Sequence, residues 1–108
     1  MTEPELEPEP GSPKGEMTLG GARRWNAIVD AHARVLVEVR AATLNWAPFN
    51  SAHEAYAVLL EEVRELEFAT FLKQADRDLG EMRREAIQVA AMAIRYAAEV
   101  CNEETGRK

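Results

Sequence analysis

Apolar residues first recur at helical spacing from about Ala22 to Asn45, where Trp25, Ile28, His32, Val35, Leu36 and Val39 trace one face of a helix. On another face Asp30, Arg34 and Glu38 stand four residues apart, a ladder that supports an exposed helix surface. Thr43 to Asn50 reads as a turn, because Pro48 removes a backbone donor and Asn45 and Asn50 tolerate loop conformations. A second helix starts at Ser51, whose spacing to Glu54 is that of a capping box. It continues through Ala55, Tyr56, Leu59, Val63 and Leu66 to about Lys73, with Tyr56, Leu59, Val63 and Leu66 as its core stripe. After a break at 74–77, Asp78 with Glu81 gives a second N-terminal cap, and a third helix runs from about Leu79 to Val100. No strand pattern and no repeat interrupts this order. The prediction is an all-α fold of three helices.

The third helix predicts more than its own existence. Between Ala86 and Ala98 only Gln88 and Arg95 are polar. At about 100° per residue, Ile87, Val89, Ala90, Met92 and Ile94 point almost all the way round the axis. Such a helix must be surrounded, and two further helices of a short chain struggle to do that. The expectation is a bundle completed by oligomerisation, as a homodimer or homotetramer; the alternative is a monomer with an apolar patch.

Charge and composition refine this. The chain has 108 residues and a net charge of −6, of which residues 1–16 supply −4. Those residues hold four of the five prolines and no apolar periodicity, so residues 1–19 read as a disordered acidic tail and 20–108 as the helical domain. No basic stripe points to nucleic acid. No apolar run reaches membrane-spanning length, and the acidic, proline-rich start is unlike a signal peptide. The single cysteine, Cys101, excludes a disulfide framework and fits a reduced, cytoplasmic setting.

The candidate chemistry lies in the acids. With Leu59 at 0° on the second helix, Glu61, Glu65 and Glu62 fall at about 200°, 240° and 300°, on one side, with Glu62 at the edge of the core stripe. Crowded carboxylates repel, and a hard cation such as Mg²⁺ relieves the repulsion while accepting oxygen ligands. On the third helix Glu81, Glu85, Gln88, Arg95 and Glu99 form a polar stripe about 80° wide, which a buried helix must aim at a partner, a metal or a ligand. The plainer reading is a solvated glutamate face paired with Arg64 or Lys73.

The run Glu61-Glu62-Val63-Arg64-Glu65, followed 20 residues later by Glu85, resembles the MazG-like family of all-α nucleoside triphosphate pyrophosphohydrolases, which carry E-E-x-x-E on one helix and E-x-x-D on the next. Trp46, Ser51 and His53, with Glu54-Ala55-Tyr56, resemble its lead-in, and Glu85-Ala86-Ile87-Gln88-Val89-Ala90-Ala91-Met92 resembles a variant among small bacterial and phage members. The resemblance covers about residues 22–101. It implies an oligomeric helical fold, Mg²⁺ dependence, and hydrolysis of a nucleoside triphosphate to monophosphate and pyrophosphate. It implies Glu62, Glu65, Glu85 and Gln88 as metal ligands. A carboxylate not fully used as a ligand, Glu61 or Glu62, can orient and deprotonate the attacking water. Gln88 stands where the family has Asp, so it brings no charge and cannot act as a base. Arg95 either contacts a phosphate or pairs with Glu99 or Glu62. Trp46 and Trp25 are core residues or base-stacking surfaces. A non-catalytic oligomer on the same scaffold, binding a nucleotide or a protein, is the competing reading. A di-iron protein of the ferritin type would need Glu-x-x-His pairs, and neither His32 nor His53 has a Glu three residues before it.

Overall fold

The computed structural model describes residues 17–102 and Glu104. Nearly all of the tail expected at 1–19 lies outside them. Three α-helices follow one another: α1 (Leu19–Asn45), α2 (Ala52–Thr70) and α3 (Leu79–Arg95), with a short 3-10 turn at Gln74–Asp76 between the last two. There is no strand among the described residues. The chain divides into two units after Asp30, within α1. In the first, helix formation begins three residues before the apolar pattern does. Thr18 Oγ1 accepts the Gly21 N–H at 3.0 Å and caps the helix, so Gly20 and Gly21 are helical rather than breaking. Trp25 is 53% exposed and is not core.

The second unit, from Ala31 onward, holds the core, the candidate acids, Gln88, Arg95 and Trp46. Both predicted caps form. The Glu54 N–H donates to Ser51 Oγ at 3.1 Å, and Asp78 Oδ1 accepts from the N–H groups of Gly80 and Glu81 at 2.8 and 3.2 Å. The capping box is modified: the Glu54 carboxylate takes the Asn50 side-chain amide at 2.9 Å. Helix α2 ends three residues before the pattern predicts, and α3 widens after Arg95 into a π-helical turn, Tyr96–Val100.

The tightly packed pair is α2 with α3. The core joins Val35, Phe49, Ala55, Ile87, Ala91, Met92 and Val100, with Ala55 and Ala91 fully buried. Small residues at the contact let two backbones approach closely. This rotates α2 relative to the stripe read from the sequence. Its buried side runs through Ala55 and Ala69, with Glu62 and Leu66 half-buried, while Tyr56 on the other flank is 58% exposed. Glu62 thus lies on the packed side of the helix instead of at its border. No described helix is long and apolar enough to cross a membrane.

Candidate metal centre

Rotation of α2 onto its alanines brings Glu62 against α3, and Glu65 follows one turn later on the same side. Glu85 comes from the second turn of α3. One oxygen each of Glu62, Glu65 and Glu85 lie within 4.8 Å of one another. Sequence reasoning named these three acids, and the fold brings them together. Glu61 is exposed and outside the triad.

The electrostatics follow from packing acids on acids. Glu85 Oε2 is shielded from water and no hydrogen-bond donor reaches it. Its neighbours are the carboxylates of Glu81 and Glu65, with which it can only share a proton. Loss of solvation first, and these contacts second, push its pKa up to about 7. Glu62 is raised too, by desolvation first and then by Glu65 and Glu61. A buried anionic oxygen without a donor is costly, and a proton or a cation relieves it. The donor set is all carboxylate oxygen, which suits a hard divalent cation over a soft one. The residues therefore fit a hard divalent cation, Mg²⁺ among them. Glu81 is also paired on its own helix: its Oε2 accepts from Arg84 Nη2, one turn along α3.

The remaining polar positions of α3 meet other elements. The Gln88 side-chain amide donates to Glu38 Oε2 on α1 at 2.9 Å. Glu38 read from the sequence as part of an exposed ladder, yet it is half-buried; no signal within α1 alone marks it, because its partner stands 50 residues away. Arg95 is 4% exposed. Its Nε donates to Glu99 Oε2 at 2.8 Å, and its Nη2 donates to the Ala47 carbonyl at 3.2 Å. Of the two readings of Arg95, the pair with Glu99 is the contact the structure contains.

A cleft of about 770 Å³ opens beside the triad. Glu61, Glu62, Gln88 and Arg95 line it, together with Trp46, which is 70% exposed. A second hollow of about 390 Å³ lies on the other carboxylates, Glu65, Glu81 and Glu85, and Glu61 borders both. The acids therefore sit where two surface depressions meet. No known protein family, characterised protein or solved structure matches the chain.

Proposed function

We propose that the protein is a Mg²⁺-dependent nucleoside triphosphate pyrophosphohydrolase that releases a nucleoside monophosphate and pyrophosphate. One observation carries this reading: carboxylates from two helices, Glu62, Glu65 and Glu85, converge beside a nucleotide-sized cleft, with a Glu85 oxygen that has lost water and gained no donor. The resemblance of Glu61–Glu65 and Glu85 to the MazG-like pattern supports it.

Glu62, Glu65 and Glu85 hold the metal in this account. Gln88 can add only its amide oxygen, since its nitrogen donates to Glu38. Bound Mg²⁺ supplies charge neutralisation to the phosphates. The chain's own residues do the rest. In the reaction a water oxygen bonds to the α-phosphorus, the bond from that phosphorus to the bridging oxygen breaks, and pyrophosphate leaves with the electron pair. The water's proton passes to a carboxylate. Glu61 lines the cleft outside the triad and is one candidate base; Glu62, harder to ionise than an ordinary Glu, is the other. Trp46 offers an indole face on which a base can stack.

Assembly as a homodimer or homotetramer belongs to this proposal. Support comes from large apolar side chains left in water, with Phe68 at 73% and Phe71 at 79% exposure, while among the described residues no large side chain is fully buried. A cytoplasmic setting fits the exposed, unpaired Cys101.

The competing reading, a non-catalytic oligomer, is favoured by the engagement of Gln88 with Glu38 and of Arg95 with Glu99. A panel of canonical and modified triphosphates, including dUTP, in ¹⁸O-water decides between them. Label in the monophosphate and none in pyrophosphate is the expected result with Mg²⁺. Release of inorganic phosphate would contradict attack at the α-phosphorus.

A further inference from the structure

Residues 46–50 join α1 to α2 without regular structure, and Trp46 to Asn50 form one wall of the cleft. Pro48 removes a donor there, and an irregular segment of this kind ordinarily leaves its backbone groups to water. Here two of them are bound by side chains at the end of α3 and in the turn that follows it. Arg95 Nη2 donates to the Ala47 carbonyl at 3.2 Å. The Phe49 N–H donates to Glu99 Oε1 at 2.9 Å. The Arg95 guanidinium lies 4.3 Å from the centroid of the Phe49 ring, and that ring is itself buried in the core. Arg95 and Glu99 also hold each other, through Nε to Oε2 at 2.8 Å and Nη2 to Oε1 at 3.3 Å.

Burying such a pair is a poor way to gain stability, because the desolvation of both ions offsets much of their attraction. Apolar residues would fill the space at less cost. What the pair adds is direction: a planar fork and a carboxylate fix a carbonyl and an N–H two residues apart on the loop. The helix end that carries Glu99 is the π-helical turn, a departure from α geometry that occurs often at functional sites.

We infer that Arg95 and Glu99 are positioning residues that clasp residues 46–50 as a fixed wall of the cleft and thereby set how tightly the substrate is held. Neither is a catalytic residue. The inference rests on the pyrophosphohydrolase reading for its substrate, a nucleoside triphosphate. It separates two kinds of residue: Glu62, Glu65 and Glu85 govern the metal where the cleft meets the second hollow, and the clasp on the cleft wall governs affinity.

Two variants test it, Glu99→Gln and Arg95→Lys, both close in size to the native residues so that the domain stays folded. Glu99→Gln keeps an acceptor for the Phe49 N–H and loses the ion pair; Arg95→Lys keeps the charge and loses the fork. Loss of a charge-assisted hydrogen bond predicts KM raised about tenfold with kcat and Mg²⁺ dependence retained. Amide hydrogen exchange provides the second readout and needs no substrate. The Phe49 amide exchanges about tenfold faster or more in both variants, while the interior amides of α2 and α3 keep their protection. Unchanged Phe49 exchange would show that the pair does not hold the loop and would overturn the inference. So would a freed loop with unaltered KM, or a fall in kcat at constant KM. Wild-type protein that hydrolysed no nucleotide would defeat the hydrolase reading alone, and the Phe49 amide would still decide the clasp.

Discussion

Glu85 carries the clearest consequence of its surroundings. Its folded pKa of about 7 lies above its ordinary value of 4.5. Between those values the folded chain keeps a proton that the unfolded chain has released. Stability of the metal-free protein therefore falls as pH rises through that window, and it levels off above it. Glu62, raised in the same direction, adds to the fall. In the proposed function Mg²⁺ takes the place of the lost proton, so adding it at pH 8 is expected to raise Tm. Thermal melts against pH check this. Glu85→Gln is expected to flatten the fall, to melt higher than wild type at pH 8 without metal, and to gain no stability from Mg²⁺. A Glu85→Gln protein with an undiminished fall would place the titration elsewhere. Glu62 and Glu65 were legible in the sequence, because helical spacing groups them on one side of α2. The same spacing grouped Glu61, which lies outside the triad, and only the resemblance joined Glu85 to them. The shielding of Glu85 Oε2 was not legible, since it depends on which face of α2 meets α3.

That choice of face belongs to the element scale. The large apolar residues of α2 pointed to a stripe through Tyr56, Leu59, Val63 and Leu66. The helix packs through Ala55 and Ala69 instead, with Leu59 and Leu66 half-buried beside them and Tyr56 and Val63 exposed. Hydrophobicity ranks a tyrosine or a valine above an alanine, but close approach of two helices ranks them the other way. Periodicity sees the first ranking only. Caps depend on a few adjacent residues, and Ser51 and Asp78 were accordingly readable. The polar stripe of α3 was readable as a stripe, and its partners were not: Glu65, Glu38 and the 46–50 loop come from three separate parts of the chain. If the alanine contact sets the rotation of α2, filling it must cost stability and disturb the acids together. Ala55→Leu is expected to destabilise the fold by about 1–3 kcal/mol and to weaken the Mg²⁺-induced rise in Tm. Chemical denaturation with and without Mg²⁺ measures both. An Ala55→Leu protein with native stability and an intact metal response would show that the contact is slack.

At the scale of the molecule, the exposed flank of α2 and the residues after it present apolar side chains to water. Tyr56, Phe68 and Phe71 are apolar surface that a single chain leaves in water. The account predicts particles of twice 12.1 kDa or four times that in light scattering. Phe68→Glu should shift them toward the monomer. A monodisperse wild-type monomer would contradict the assembly and leave that surface without a role. The central claim is that the carboxylate cluster holds the Mg²⁺ on which nucleotide hydrolysis depends. Pyrophosphate release from the triphosphate panel, compared between wild type and Glu62→Gln with and without Mg²⁺, tests it most directly. Release that requires Mg²⁺ and is lost in Glu62→Gln is the predicted result. No release from any nucleotide by folded, assembled wild-type protein, or full release by Glu62→Gln, would contradict it.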